Sequence, residues 1–496
     1  MKKHLLLSIF FVCLTTLCLK AQVRKIPSDT TVTTSHETTI LGKKVSYTAT
    51  VGMQPVWAED GTPIATLNYT YYKRTDVSDA SKRPLIMSFN GGPGSGSVWM
   101  HLAYTGPNML NIDNEGYPVQ PYGYSSNPYS ILDVADIVFI NPVNTGYSRI
   151  IDKDDKKVDR SQFFGVNQDI NYLAQWLNTF VTRNNRWTSP KYLIGESYGT
   201  TRVSGLALAL QENEWMYLNG VILVSPTDLG ISRDGAVDVA NRLPYFAAAA
   251  WYHKALPANL QSKSLTDLLN EVEKYTIDVE LPAIAKGSAI SNEDKQAVAE
   301  KMSEFSGISK ETILDHNLDI SYNFFWKDLL RKKGGYTIGR LDSRYRGIDA
   351  EIAGERPDYN AELTSWLHSF TPAINAYMRD FLKFKTDVKY NMFGNVYPWD
   401  NTRNHTGENL REAMATNPYL HLMVQSGYFD GACTYFNAKY TMWQMDKSGR
   451  LKDRMSWKGY ESGHMMYLRH EDLKQANQDI RDFIKASNPG DKPAKY

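Results

Sequence analysis

A serine with a glycine two places away on either side, Gly195-Glu196-Ser197-Tyr198-Gly199, is the segment of this chain whose residue types and spacing carry the most chemistry. Between a strand and a helix, G-x-S-x-G makes a tight elbow that exposes the serine hydroxyl. An apolar run from Lys191 to Ile194 leads in, and a helical pattern through Leu206, Ala209 and Leu210 leads out. Small residues suit the flanks because the turn passes close to the neighbouring strand. The plainer reading is a serine that only caps a helix.

A serine hydroxyl needs a base, and the base needs an orienting acid. In this kind of elbow the chain order is Ser, then Asp or Glu, then His. The histidines after Ser197 are His253, His316, His368, His405, His421, His464 and His470. Only His464 falls in a glycine-bearing loop, between a strand pattern at Met455 to Tyr460 and a final helix beginning near Glu471. His421 reads as a strand residue and His470 as a helix start. Asp430 comes just past the strand pattern Tyr419 to Val424, whereas Asp446 and Asp453 read as solvated carboxylates. The expected catalytic group is Ser197, Asp430 and His464.

A tetrahedral intermediate also needs backbone N–H donors aimed at its oxyanion. Asn90-Gly91-Gly92-Pro93-Gly94-Ser95-Gly96 follows the apolar run Leu85 to Phe89 and can bring amides close to a substrate. Such a loop can also cradle phosphate, but no G-x-x-x-x-G-K-S/T pattern is present and no lysine follows in the loop. Without an H-E-x-x-H or a cysteine cluster there is no case for a metal, and no cofactor is expected.

These residues need elements to position them. Residues 30–75 alternate threonine, valine and tyrosine, which predicts antiparallel strands with a turn at Asp60-Gly61. Short apolar runs then alternate with helical patterns such as Ile170, Leu173, Leu177 and Val181. That pattern predicts a mostly parallel sheet covered on both faces. From 231 to 409 amphipathic helices replace the strands, as at Leu265-Leu268-Leu269-Val272. The expected organisation is an α/β core over 22–230 and 410–496, with a helical cap inserted at 231–409. An independent second domain is the alternative for that block.

The 496 residues carry 55 basic and 54 acidic side chains, which leaves no field for nucleic acid. Lys2 and Lys3, the apolar run Leu5 to Leu19 and then Ala21 read as an export signal over 1–21. Thr16-Leu17-Cys18 fits a lipoprotein site poorly because Leu17 is bulky. No later run is long enough to span a membrane. Removing the signal takes away Cys13 and Cys18 and leaves Cys433 alone, which points to a bacterial periplasmic or secreted protein without disulfides.

With these motifs set out, the chain resembles the serine carboxypeptidases of the carboxypeptidase Y and lysosomal protective protein type, as a bacterial branch. The resemblance runs through Asn90-Gly91-Gly92-Pro93-Gly94, Gly106-Pro107, Asn127-Pro128-Tyr129-Ser130, Pro142-Val143, Gly146-Tyr147-Ser148 and the Ser197 elbow. Downstream it adds Gly427, Asp430, Cys433 and Gly463-His464-Met465. It implies an α/β-hydrolase fold with a helical cap insertion and a β-rich N-terminal extension. It implies Ser197 as nucleophile, His464 as base, Asp430 as its orienter, and the N–H groups of Gly91 and Tyr198 as the oxyanion hole.

The family holds the substrate's free carboxylate with an Asn, two Glu and a Trp. Asn90 and Glu196 match, while Ser88 stands at the tryptophan position and Tyr104 at the second glutamate position. Tyr104 is therefore expected to supply a hydroxyl donor to that carboxylate. The expected function is a serine-type carboxypeptidase acting on peptides, with a homodimer left open. An esterase or acyltransferase using the same triad is the alternative, and a non-catalytic binding protein is a third class.

Overall fold

Alternating apolar and polar side chains between Thr30 and Arg74 form three long strands in this computed structural model, which describes residues 26–79, 82–152, 157–488, 490 and 493–495. The export signal expected over 1–21 lies outside the described residues. Strand β1 (Thr30–Ile40) turns into β2 (Lys43–Trp57) through Leu41 and Gly42, whose φ values of 48° and 78° make a tight hairpin. Strand β3 (Pro63–Arg74) follows the turn at Asp60-Gly61, where the Asp60 carboxylate accepts the Thr62 N–H at 2.8 Å.

The sheet continues with β4 (Leu85–Phe89), β5 (Asp136–Ile140), β6 (Lys191–Glu196), β7 (Gly220–Val224), β8 (His421–Gly427) and β9 (Met455–Tyr460). Its order is β1-β2-β3-β5-β4-β6-β7-β8-β9, with a two-residue strand, Arg149–Ile150, beside the start of β3. The β1/β2, β2/β3 and β3/β5 pairs are antiparallel, and every pair from β5 to β9 is parallel. Strands β4 to β7 are buried along their whole length, which explains their continuous apolar runs.

The two-residue period of a strand sends neighbouring side chains to opposite faces. Leu85, Met87, Leu193 and Leu223 pack with Leu173, Leu177 and Leu206 of the helices Val166–Arg183 and Tyr198–Asn213. Ile86, Ile194 and Ile222 pack on the other side with Leu473 and Ile480 of the helix His470–Ser487. The chain therefore has an α/β-hydrolase fold with a β-rich N-terminal extension.

Between β7 and β8 the chain leaves the main sheet. Helices Leu243–Tyr252, Leu265–Tyr275, Asn292–Ser306 and Tyr322–Asp328 enclose a second apolar cluster around Phe246, Leu268, Phe305 and Phe325, which Phe429, Tyr435 and Phe436 join from the segment after β8. The later part behaves differently. Helix Ala361–Ala376 and the turns after it feed Trp366, Phe370, Tyr377 and Tyr390 into the sheet's own cluster with Tyr47, Tyr72 and Trp99. Tyr377 and Tyr72 share a hydroxyl–hydroxyl hydrogen bond of 2.8 Å. The stretch expected as one cap thus packs as two units, because its second half carries aromatics that cover the β2/β3 face. Helix Thr406–Thr416 crosses the expected boundary at 409, since Leu410 and Met414 pack beside Leu206. Among the described residues no helix is long and apolar enough to cross a membrane.

Candidate active site

Ser197 is held by the junction of β6 and the helix Tyr198–Asn213. Its φ of 57° and ψ of −127° are sparsely populated for a residue with a side chain, and surrounding contacts enforce them. The Ser197 N–H donates to the Val224 carbonyl at 2.9 Å. A Cβ on Gly195 would run into the Gly199 carbonyl, and one on Gly199 would sit 2.7 Å from the Phe89 carbonyl oxygen. Both glycines are required by close backbone approach.

The glycine loop after β4 lies directly against this elbow. A Cβ on Gly91 would sit 2.5 Å from the Tyr198 nitrogen, so two main-chain segments meet there with no side chain between them. Neither the Gly91 nor the Tyr198 N–H donates to another group among the described residues. The Asn90 side chain is fixed at both ends: its Oδ1 accepts the Met100 N–H at 3.1 Å and its Nδ2 donates to Glu196 Oε1 at 2.9 Å.

Loops after β8 and β9 bring Asp430 and His464 together. His464 Nδ1 donates to Asp430 Oδ2 at 2.7 Å, and both side chains are buried. Asp430 Oδ1 accepts the Ala432 and Cys433 N–H groups at 2.8 and 3.0 Å, so the carboxylate is aimed by its own turn. Burial pulls the His464 imidazole towards a lower pKa, but the charge and hydrogen bond of Asp430, helped by Glu196, outweigh it and hold the pKa above the ordinary value. Ser197 and His464 face one cavity of about 440 Å³, together with Glu196, Gly91 and Tyr198.

Asp430, Cys433 and His464 present potential ligand atoms within 4.8 Å of one another. Their chemistry suits a hydrogen-bonded couple better than a metal: Asp430 occupies His464 Nδ1, and burial foremost pushes the Cys433 thiol up, keeping it protonated.

Glu196 is fully desolvated beneath the nucleophile's elbow. Burial pushes its carboxyl up to about 7, against the lowering effects of His464, the Tyr467 hydrogen bond and Asn90. Its Oε2 accepts the Tyr467 hydroxyl. Tyr104 does not do what the sequence led us to expect. Its hydroxyl donates to Gln425 Oε1 at 2.6 Å and its ring stacks on Tyr467, with centroids 4.6 Å apart. Tyr104 is wholly buried away from the cavity, and so is Ser88, whose hydroxyl faces the Met100 sulfur. The reason is reach: Tyr467 fills the space between Tyr104 and the carboxyl, so it becomes the donor.

Sequence reasoning missed Tyr467 and also the support under the glycine loop. Arg202, fully buried, donates to Asp169 Oδ2 at 2.6 Å and to the Asn90 carbonyl at 2.7 Å. Its place at the start of the second turn of the helix that follows Ser197 was the available signal. The wall of the cavity comes partly from the inserted residues, through Arg340, Leu341, Leu363 and Trp366.

Comparisons with known proteins agree with this architecture. The family model Peptidase_S10, serine carboxypeptidase, matches residues 61–477. The pheromone-processing carboxypeptidase KEX1 of Saccharomyces cerevisiae is 31% identical over 160 residues, 31% of this chain and 21% of that protein. Serine carboxypeptidase-like 36 of Arabidopsis thaliana is 28% identical over 171 residues, 33% of this chain and 32% of that protein. These matches span a fifth to a third of the length of the relatives. The crystal structure of the yeast prohormone-processing carboxypeptidase Kex1Δp superimposes with a TM-score of 0.51 at 16% identity, covering 89% of this chain and 92% of that one. That likeness is one of fold. The match of the family model across residues 61–477 decides membership: this chain belongs to the serine carboxypeptidase family.

Proposed function

We propose that the protein is a serine-type carboxypeptidase that removes residues from the C-terminal ends of peptides. Ser197 Oγ attacks the carbonyl carbon of the last peptide bond while His464 Nε2 takes its proton. Asp430 holds the imidazole in the required tautomer and stabilises its charged form. The Gly91 and Tyr198 N–H groups receive the oxyanion. The C–N bond then breaks, His464 returns the proton to the leaving amine, and the terminal amino acid departs. Water, deprotonated by His464, cleaves the acyl ester and frees Ser197.

One observation carries the exopeptidase reading: Glu196, raised to about 7 by burial and held by Asn90, lines the cavity that Ser197 faces. A protonated carboxyl can donate to a substrate carboxylate, which an ionised one would repel. The commitment of Tyr104 to Gln425 weakens the family's clamp and keeps an esterase or acyltransferase as the second reading. Mass spectrometry of one N-blocked peptide, offered as free acid and as C-terminal amide, separates them. Stepwise shortening of the free acid alone supports the carboxypeptidase. Cleavage of both forms alike, or of acyl esters only, overturns it. The proposed setting is export to the periplasm or medium, tested by fractionation, and sizing in solution tests the homodimer.

A further inference from the structure

Arg340 is the one Lys or Arg among the described residues lining the catalytic cavity. Its guanidinium has no hydrogen bond or ion pair within the described chain, and its side chain is exposed. Its backbone, by contrast, is tightly held. The Arg340 carbonyl accepts the Gly431 N–H at 3.0 Å, next to Asp430. The following residue, Leu341, donates its N–H to Glu362 Oε1 at 2.8 Å and accepts the His464 N–H at 2.7 Å. The residue is thus tied to both loops that carry the Asp430–His464 couple. Its charge lies near enough to act on His464, Cys433 and Glu362.

A fixed main chain carrying an unpaired arginine fork into a substrate cavity is an arrangement that awaits an anion. Two anionic groups of a peptide could meet it: the terminal carboxylate, or an acidic side chain. In the proposed reading the carboxylate already has a donor in Glu196, which lines the cavity at the end of β6 and is held by Asn90. Arg340 is tied instead to the turn after β8, through its carbonyl and the Gly431 N–H, and the next two residues of that turn, Ala432 and Cys433, line the same cavity. A carbonyl held at Ser197 with its leaving residue towards Glu196 directs the acyl residue towards this turn.

We propose that Arg340 is a specificity-determining residue that selects substrates with an acidic side chain on the acyl side of the scissile bond. The inference rests on the carboxypeptidase reading for its orientation, and it deepens that reading by naming a substrate class. A partly solvated arginine–carboxylate contact made at the acyl residue accounts for about tenfold in kcat/KM between Glu and its neutral isostere Gln.

The test uses the full chain with two substrate sets. One set is N-blocked dipeptides with Glu, Gln or Lys as acyl residue and a common C-terminal residue. The other is p-nitrophenyl esters of the same N-blocked amino acids, which have no C-terminal carboxylate to anchor. The readout is the ratio of kcat/KM between substrates within each variant, so a general loss of folded enzyme cancels. In the wild type Glu exceeds Gln by about tenfold in both sets, less so in high salt. Arg340→Gln brings the ratio to about one, and Arg340→Glu turns the preference towards Lys. A wild-type ratio near one, or an unchanged ratio in Arg340→Gln, overturns the proposal. So does a loss in Arg340→Gln that is equal for all the dipeptides and absent for all the esters, which would make Arg340 a reader of the terminal carboxylate. Failure to cleave any dipeptide while the esters show the expected ratios overturns the carboxypeptidase reading alone. No turnover of any dipeptide or ester by the wild type overturns both.

Discussion

Tyr467 donates its hydroxyl to Oε2 of Glu196, while Asn90 donates to Oε1, so both oxygens of this buried carboxyl are engaged. The carboxyl nevertheless stays protonated up to about pH 7, because desolvation outweighs both hydrogen bonds and the attraction of His464. Glu196 and His464 act on each other: an ionised Glu196 favours a charged imidazole, and a charged imidazole favours an ionised Glu196. The proposed mechanism needs the opposite pair of states, a neutral imidazole as base and a protonated carboxyl as donor.

That coupling sets the pH dependence of substrate binding. As pH rises through about 7, Glu196 ionises and, if it holds the substrate carboxylate as proposed, should repel it, so KM for free acids should rise on the alkaline side. Glu196→Gln keeps a donor at every pH. Its KM for free acids should be flat across neutral pH. The acid limb of its kcat/KM should also move to lower pH, because the charge that helps raise His464 is gone. A KM profile identical to that of the wild type would remove Glu196 from carboxylate binding.

Tyr104 and Tyr467 separate by what they break. Tyr104→Phe takes the donor from the buried Gln425 Oε1, whose amide nitrogen still serves the Tyr460 hydroxyl and the Ala476 carbonyl. An orphaned buried acceptor costs about 1–3 kcal/mol, so denaturant unfolding should shift while the free-acid to amide ratio stays constant. Tyr467→Phe should instead change KM, since Glu196 loses a donor that lowers its pKa and its alkaline limb moves up. A changed free-acid to amide ratio in Tyr104→Phe would restore that tyrosine to the site.

These tyrosines also mark where the sequence stops being legible. The strand patterns at Leu85–Phe89 and Met455–Tyr460 coincide with strands, while those ending at Ile194 and Val424 stop two and three residues short because the strands close on Glu196 and Gly427; glycine-flanked Ser197 and loop residue His464 stood out because tight turns demand particular residue types. The two-part packing of the inserted block was not legible. Amphipathic helices show that a face is buried but not against what, and only the fold reveals that Trp366 and Tyr377 join the sheet's cluster. Tyr467 was hidden because aromatic residues near a catalytic loop are usually core, and the Tyr104–Tyr467 stack is a contact between distant segments. Arg202 was hidden for a similar reason: its partner Asp169 sits on a different helix.

Asp430→Asn leaves a side chain of the same shape but removes the charge that holds His464 above its ordinary pKa. The asparagine amide can also turn a donor towards Nδ1 and select the wrong tautomer. A loss of about 10⁴-fold in kcat is expected, with labelling of Ser197 by a fluorophosphonate slowed in parallel. A loss below tenfold would mean that another acid orients the imidazole.

The buried pair beneath the glycine loop gives a test of positioning. Arg202 and Asp169 are both almost fully desolvated, and the remaining Asp169 oxygen accepts the Tyr172 hydroxyl at 2.8 Å. Arg202→Met leaves that carboxylate unpaired, which should cost about 3–5 kcal/mol of stability. The double variant Asp169→Leu with Arg202→Met buries no charge and should recover most of that loss in urea unfolding. Activity should not recover with it. Arg202 is also the cation that grips the Asn90 carbonyl, and Asn90 precedes Gly91 and holds Glu196. Once that grip is lost, the loop is free to shift by fractions of an ångström, enough to spoil an oxyanion contact even in a well-folded protein. The double variant should therefore keep a kcat about tenfold or more below wild type while its unfolding midpoint returns. If kcat and stability recover together, the pair serves folding alone and the Asn90 loop is positioned by its own hydrogen bonds to Met100 and Glu196.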